Sequence, residues 1–185
     1  MEPVRVNSSY DREFVDEVER KSGQVLSHCY QCGKCTAGCP VDFAYDIPVS
    51  QIMRLLQAGQ RDRVLKSRSI WLCASCETCT ARCPNDIDVA RIMDTLRNIA
   101  GKEGIVAEKD IRKFWECFLD SVKKHGRIFE IGLMTAWMTR TGRLLANADL
   151  GPSVLLKGKM SFKPEDIQGR EEIQKIFERY EQENA

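Results

Sequence analysis

The chain has 185 residues, 28 of them basic and 27 acidic, for a formal net charge of +1. That balance excludes the one-signed field of a nucleic-acid binder. The longest near-continuous apolar stretch, 128–138, is broken by Glu130 and reaches only half of the roughly 20 residues that a membrane span needs. The length suits one domain with its own core plus an extension.

Residues 1–27 hold no Cys. Val4-Arg5-Val6 reads as a short strand, and Ser9 or Asp11 opens a charged helix with Phe14, Val15 and Val18 on one side. We read this segment as an N-terminal docking piece. The chemistry begins behind it, with Cys29-x2-Cys32-x2-Cys35-x3-Cys39-Pro40, and the run returns as Cys73-x2-Cys76-x2-Cys79-x3-Cys83-Pro84. Eight of the nine cysteines thus fall into two copies of the bacterial-type signature for a pair of [4Fe–4S] clusters. In two-cluster ferredoxins the fourth Cys of each run ligates the other cluster. The expected sets are therefore Cys29, Cys32, Cys35 and Cys83 for one cluster, and Cys73, Cys76, Cys79 and Cys39 for the other. The step from Cys35 to Cys39 spans about 6 Å as helix and at most roughly 14 Å extended. With side chains added, the clusters should lie on the order of 10 to 15 Å apart, close enough for electron hopping.

Three competing readings are weaker. Structural zinc takes four N/S ligands, commonly as two Cys-x2-Cys pairs, whereas each run here carries four Cys and a trailing Pro. Disulfide frameworks belong to short secreted chains, and this chain starts with no charged-then-apolar signal segment; we expect a reducing, cytoplasmic setting. Purely structural clusters need not be linked within hopping distance.

Behind each Cys-Pro the sequence repeats. Ile47, Val49, Ile52, Met53 and Leu56 recur 40 residues later as Ile87, Val89, Ile92, Met93 and Leu96, whereas the Cys runs are 44 residues apart, so the first copy carries four extra residues within 41–46. The i, i+3, i+4, i+7 spacing marks one apolar stripe on each of two helices. Pro48 suits the first turn of one helix, Asp86 or Asp88 caps the other, and Gly59 and Gly101 end them. The 33 residues between Cys39 and Cys73 read as helix, which predicts a mainly α fold: an α-helical ferredoxin domain over 28–104 with N- and C-terminal helical extensions. The residues between ligands are small or polar, leaving backbone N–H groups free to approach the sulfurs, and Lys34 and Arg82, each beside ligands, either raise a potential or are simply solvated.

Residues 105–185 form the C-terminal extension. Ile111, Phe114, Trp115, Phe118, Leu119 and Val122 make a helical stripe, an apolar segment follows to Met138, and the chain breaks near Thr141-Gly142. A short hairpin is expected over 154–162, then a last helix over 169–180 with Ile173, Ile176 and Phe177 inward. Trp115, Trp137, Met134 and Met138 are candidates for core or for a contact between subunits. Cys117 reads as a buried hydrophobe rather than a reactive thiol. His28 and His125 are read as non-catalytic. No dinucleotide or P-loop run occurs, nor any nucleophile and base pair of the triad type, so we assign no catalytic residue and no substrate pocket to this chain.

The paired Cys runs, the repeated Ile-x-Val-x-x-Ile-Met helix and the stretch Lys124-x-Gly126-Arg127-x3-Glu130-x-Gly132-Leu133 together resemble the C subunit of the soluble heterodisulfide reductases of methanogenic archaea. Succinate or fumarate oxidoreductase subunits add a Cys-bearing [2Fe–2S] module, and other relatives add Cys-Cys-Gly modules; neither is present. The resemblance implies a cytoplasmic oxidoreductase complex in methanogenesis. There this chain would relay electrons from a flavin-containing A subunit to a Cys-rich B subunit, which reduces the coenzyme M–coenzyme B heterodisulfide, with a hydrogenase or another electron-donating module as a further candidate partner. The alternatives are a free ferredoxin-like carrier and a relay in another multi-subunit oxidoreductase.

Overall fold

The computed structural model describes residues 10–143, 161 and 163–183. The chain divides into two compact units, Met1–Glu108 and Lys109–Ala185, and among the described residues there is no strand. The strand expected at 4–6 lies outside the described residues, as does almost all of the hairpin expected over 154–162.

In the first unit, α1 spans Arg12–Ser22. Asp11 Oδ1 accepts from the Phe14 N–H at 2.9 Å, which satisfies one of the N–H groups orphaned at a helix start. Gly23, at φ 67°, closes the helix by donating to the Glu19 carbonyl at 2.8 Å. Phe14, Val18 and Ser22, four residues apart, share one buried face, and α1 packs on α7 (Val89–Lys102). Phe14, Val18 and Leu26 of the segment read as a docking piece belong to the core of this unit.

Each Cys run contains one helical turn, α2 at Lys34–Ala37 and α6 at Thr78–Ala81. Between the runs the chain makes a 3-10 turn at Asp42–Ala44 and then α3 (Val49–Gln57), α4 (Arg61–Leu65) and α5 (Ser69–Leu72). The two apolar stripes of the repeat, on α3 and α7, are each 3% exposed or less at every position from Val49 to Leu56 and from Val89 to Leu96 named above. Burial of such side chains stabilises by about 1.5–3 kcal/mol each, and they form one continuous core with Phe14, Val18, Leu26, Leu65, Ile70 and Trp71.

The helix ends differ in detail from the expectation. Pro48 sits at the N-cap position of α3, and Asp88 caps α7 by accepting from the Arg91 N–H at 2.9 Å. Gly59, at φ 58°, turns the chain just past α3, where an added Cβ would lie 2.7 Å from the Asp11 nitrogen. Gly101 does not end α7. The helix continues to Lys102, because Ile99 and Ala100 keep it against the core and override the helix penalty of glycine; Gly104, at φ 73°, takes the turn instead.

The second unit contains α8 (Lys109–His125), α9 (Glu130–Thr141) and α10 (Arg170–Glu183), with α8 packed on both others. Phe114 meets Trp115 and Trp137 edge-on, and Trp137 Nε1 donates to the Asp110 carbonyl at 3.0 Å. Cys117 is buried, as is Leu133. Ile176, expected inward, is 51% exposed and Leu119 is 49% exposed; on α10 only Ile173, Gln174 and Phe177 are half-buried, because a single neighbouring helix covers a narrow stripe.

Candidate functional site

The two Cys runs fold alike. The second residue after the first Cys and the fourth residue after it are both left-handed: Gln31 (φ 63°) and Gly33 (φ 76°) in one run, Ser75 (φ 48°) and Glu77 (φ 60°) in the other. Three of these four are not glycine, and such a conformation costs of order 1 kcal/mol or more per residue. It wraps the loop around a concave space.

Each run is docked on the helix that follows it by one threonine. Thr36 Oγ1 accepts from the Ser50 N–H at 2.8 Å, and Thr80 Oγ1 accepts from the Ala90 N–H at 3.2 Å. Both interactions satisfy an N–H of the first helical turn, of α3 and α7 respectively.

Two hollows of nearly equal size result. The first encloses about 330 Å³, counting its open mouth, and is lined by Cys29, Cys32, Cys35 and Cys83, with Met53, Ile87 and Val89 as apolar wall. The second encloses about 340 Å³ and is lined by Cys39, Cys73, Cys76 and Cys79, with Val49, Ala90 and Met93 as wall. Three cysteines of one run thus meet the fourth of the other run. The walls cross in the same sense: Met53 and Met93 each face the hollow of their own run, whereas Val49 and Val89 face the opposite one.

The chemistry of the donor set fits a polynuclear cluster better than a single ion. Zinc draws four sulfurs to about 2.3 Å from one point, and among the described residues no three His, Cys, Asp or Glu side chains converge so closely. Here the four thiols of each set are instead spread around a hollow that also has an apolar wall. Two polar hydrogens already point at sulfur: the Ile87 N–H reaches Cys83 Sγ at 3.4 Å and Gln31 Nε2 reaches Cys29 Sγ at 3.5 Å, while Cys76 Sγ and the Thr78 hydroxyl share a hydrogen bond at 3.4 Å. Hydrogen bonds of this type tune iron–sulfur potentials.

As free thiols Cys79, Cys35 and Cys76 differ. Burial, with the charge of Cys73 behind it, pushes Cys79 up to about 11, and burial likewise raises Cys35. Exposed Cys76 is lowered, chiefly by the Thr78 side chain. Tyr45 lines the second hollow, and its hydroxyl is held well above its ordinary range by burial, then by the charge of Cys73 and hydrogen bonding to Cys39.

Lys34 is exposed at the rim of the first hollow. Arg82 is exposed too, and its side chain lies over Gly38, where an added Cβ would sit 2.5 Å from Arg82 Cδ. His28 is exposed, and His125 Nδ1 pairs with Asp166 at 2.8 Å in the second unit. Sequence reasoning passed over Tyr45, Gln57 and Arg97. Tyr45 lies in the four-residue insertion of the first repeat. Gln57 and Arg97 are the same position of the repeat, and carrying the 40-residue offset past Leu56 reaches them.

A helical domain with two such four-cysteine hollows defines an iron–sulfur protein of the dicluster electron-transfer class. Residues 25–87 match the family described as the 4Fe-4S dicluster domain, and with the eight cysteines of the two runs the cofactor is a pair of [4Fe–4S] clusters. The chain is similar to the C subunits of heterodisulfide reductases. It is 41% identical over 97 residues to the iron–sulfur C subunit of the CoB–CoM heterodisulfide reductase of Methanopyrus kandleri, covering 52% of this chain and 50% of the relative. The C 2 iron–sulfur subunit of the CoB–CoM heterodisulfide reductase of Methanocaldococcus jannaschii is 38% identical over 105 residues, 52% of this chain and 56% of its own. The C subunit of the H(2):CoB-CoM heterodisulfide,ferredoxin reductase of Methanothermobacter marburgensis is 33% identical over 97 residues, 52% of each chain. The chain spans about half the length of the curated relatives it matches. No described helix is long and apolar enough to cross a membrane.

Proposed function

We propose that the chain is the electron-relay subunit of a cytoplasmic heterodisulfide reductase complex, passing electrons from a flavin-containing subunit to the subunit that reduces the coenzyme M–coenzyme B heterodisulfide. Cys29, Cys32, Cys35 and Cys83 hold one [4Fe–4S] cluster, and Cys73, Cys76, Cys79 and Cys39 hold the other. The observation that carries the reading is the crossing of Cys39 and Cys83 between two hollows of matched size. When bound, each cluster supplies a one-electron centre.

The chain's own residues do the rest. Eight thiols ionise to become ligands; the Met, Val and Ala walls on α3 and α7, with Ile87 just ahead of α7, keep water from the inner faces; and the crossed cysteines join the two sites. No residue is assigned a substrate role, so enzyme status belongs to the complex. We assign the second unit, with its half-buried Phe114, Trp115 and Trp137 and its exposed Leu119, to subunit docking.

Anaerobic purification of the native protein tests this reading, with iron counted and co-purifying chains identified. About eight irons per chain and flavin- and Cys-rich partners are expected. A lone monomer with the same iron would instead be a free carrier, and other partners would place the relay in a different oxidoreductase.

A further inference from the structure

The two repeats use one device to hold the chain entering each Cys run, and they build it from different side chains. In the first half Gln57 Nε2 donates to the Leu26 carbonyl and to the Cys29 carbonyl, both at 2.8 Å. In the second half Arg97 Nε donates to the Ile70 carbonyl at 2.9 Å and Arg97 Nη2 to the Cys73 carbonyl at 2.8 Å. Gln57 and Arg97 are 40 residues apart, the offset of the repeat, and in each half the accepting carbonyls belong to the first Cys of the run and to the residue three before it. The geometry is duplicated; the charge is not.

That charge sits where it counts. The Arg97 side chain is only 14% exposed, and a partly buried charge acts through a much lower effective dielectric than a solvated one. Its counter-charge, Asp94, lies 3.3 Å away but is 46% exposed, and it also accepts from Ser75 Oγ at 2.8 Å. Arg97 stands behind the Cys73 loop; the charged residues that line the hollows, Lys34 at the first and Glu77 at the second, are both exposed and screened. They would favour the opposite order, and burial decides in favour of Arg97.

We propose that Arg97 is a positioning residue that makes the two centres unequal, its guanidinium clamp on the Ile70 and Cys73 carbonyls setting the potential at the Cys73 hollow above that at the hollow held by neutral Gln57. The inference rests on the two-cluster reading above. Net charge and hydrogen bonding near the ligands are general determinants of such potentials. Each centre takes one electron without a bond being made or broken, so the added electron resides preferentially at the Cys73 site.

The test is an anaerobic dithionite titration of the full chain followed by electron paramagnetic resonance, with iron counted in every sample. A unit charge at about 10 Å in an effective dielectric near 20 changes the reduced-to-oxidised ratio roughly tenfold, equivalent to about 59 mV for a one-electron centre. Arg97→Gln should lower one of the two midpoints by that order, Arg97→Lys should hold it near the wild-type value, and Gln57→Arg should raise the other midpoint. Asp94→Asn should raise the same midpoint that Arg97→Gln lowers, which keeps the question open to test if Arg97→Gln fails to fold. Full iron with both midpoints unmoved in Arg97→Gln, or a shift in Arg97→Lys as large as in Arg97→Gln, overturns the inference alone. A wild-type chain with far fewer than about eight irons overturns the two-cluster reading and the inference with it.

Discussion

Ser69 Oγ donates to Asp46 Oδ1 at 2.7 Å, tying the loop that follows Cys39 to the helix that delivers Cys73. The same carboxylate accepts from Ser67 Oγ at 2.8 Å and from the N–H groups of Ile47, Arg68 and Ser69 at 3.0 Å each. One side chain from the inserted segment therefore fixes the start of α5.

Asp46→Ala should destabilise the first unit by about 1–3 kcal/mol, the cost of leaving a charge-assisted acceptor hub unmade. Burial by itself would raise the Asp46 carboxyl, but the Ser69, Arg68 and Ser67 hydrogen bonds outweigh it and lower it to about 2. A depressed folded value contributes stability that is fully present above the unfolded value, near 3.9, and is lost as pH falls toward the folded one. The stability gap between wild type and Asp46→Asn, read by anaerobic denaturant titration, should stay flat from about pH 8 to about pH 5 and narrow below that.

Cys39→Ser should extinguish the paramagnetic signal of the centre held by Cys73, Cys76 and Cys79 and leave the other at least partly visible. Loss of the Cys29, Cys32 and Cys35 centre instead would refute the crossed ligand sets.

Glu77 and Gly33 occupy the same left-handed position of the two loops, at φ 60° and 76°. Gly33→Ala should cost about 1 kcal/mol or more, because an L side chain is strained there, whereas Glu77→Gly should be neutral or stabilising by up to about 1 kcal/mol. Denaturant midpoints of the two variants, compared at equal iron content, check the opposite signs.

Loading the site should be proton-coupled. Cys79 is pushed up to about 11 and Cys35 is also raised, yet iron binds thiolate, so reconstitution from iron and sulfide releases protons and its apparent affinity strengthens as pH rises. A raised thiol value also means that the metal-free fold gains stability below the unfolded value, near 8.5, and loses it as pH climbs through the folded one. Proton release measured in two buffers of different ionisation heat tests the coupling; none at pH 7 would contradict it.

In the second unit Gly126, at φ 74°, ends α8 where an added Cβ would lie 2.3 Å from Ile167 Cγ1. Gly126→Ala combines backbone strain with that clash and should destabilise this unit by about 1–3 kcal/mol, seen as a lowered thermal transition.

Much of this architecture was legible in the residues. The stripes on α3 and α7 obey helical periodicity, and their burial follows from hydrophobicity alone. The stretch from Lys124 to Leu133 was legible as a pattern but not as a geometry. Only in the fold does Gly132 leave room for the Phe129 ring, which an added Cβ would meet at 2.4 Å. The end of α7 was misread at Gly101 because tertiary packing of Ile99 and Ala100 outweighed a local signal. Ile176 was placed inward by a periodicity that cannot tell a wide buried face from a narrow one.

The candidate ligands, their number and the doubled design are written in the residue order, since two-residue spacings between cysteines confine three thiols of each run to one loop whatever surrounds them. The fold decides which side chains stand behind those loops: Tyr45 at one hollow, Gln57 and Arg97 on equivalent carbonyls, and an Asp46 hub in the inserted segment. Those placements depend on how two helices approach across the core, and contact between residues distant in the chain is set by packing, which spacing does not encode.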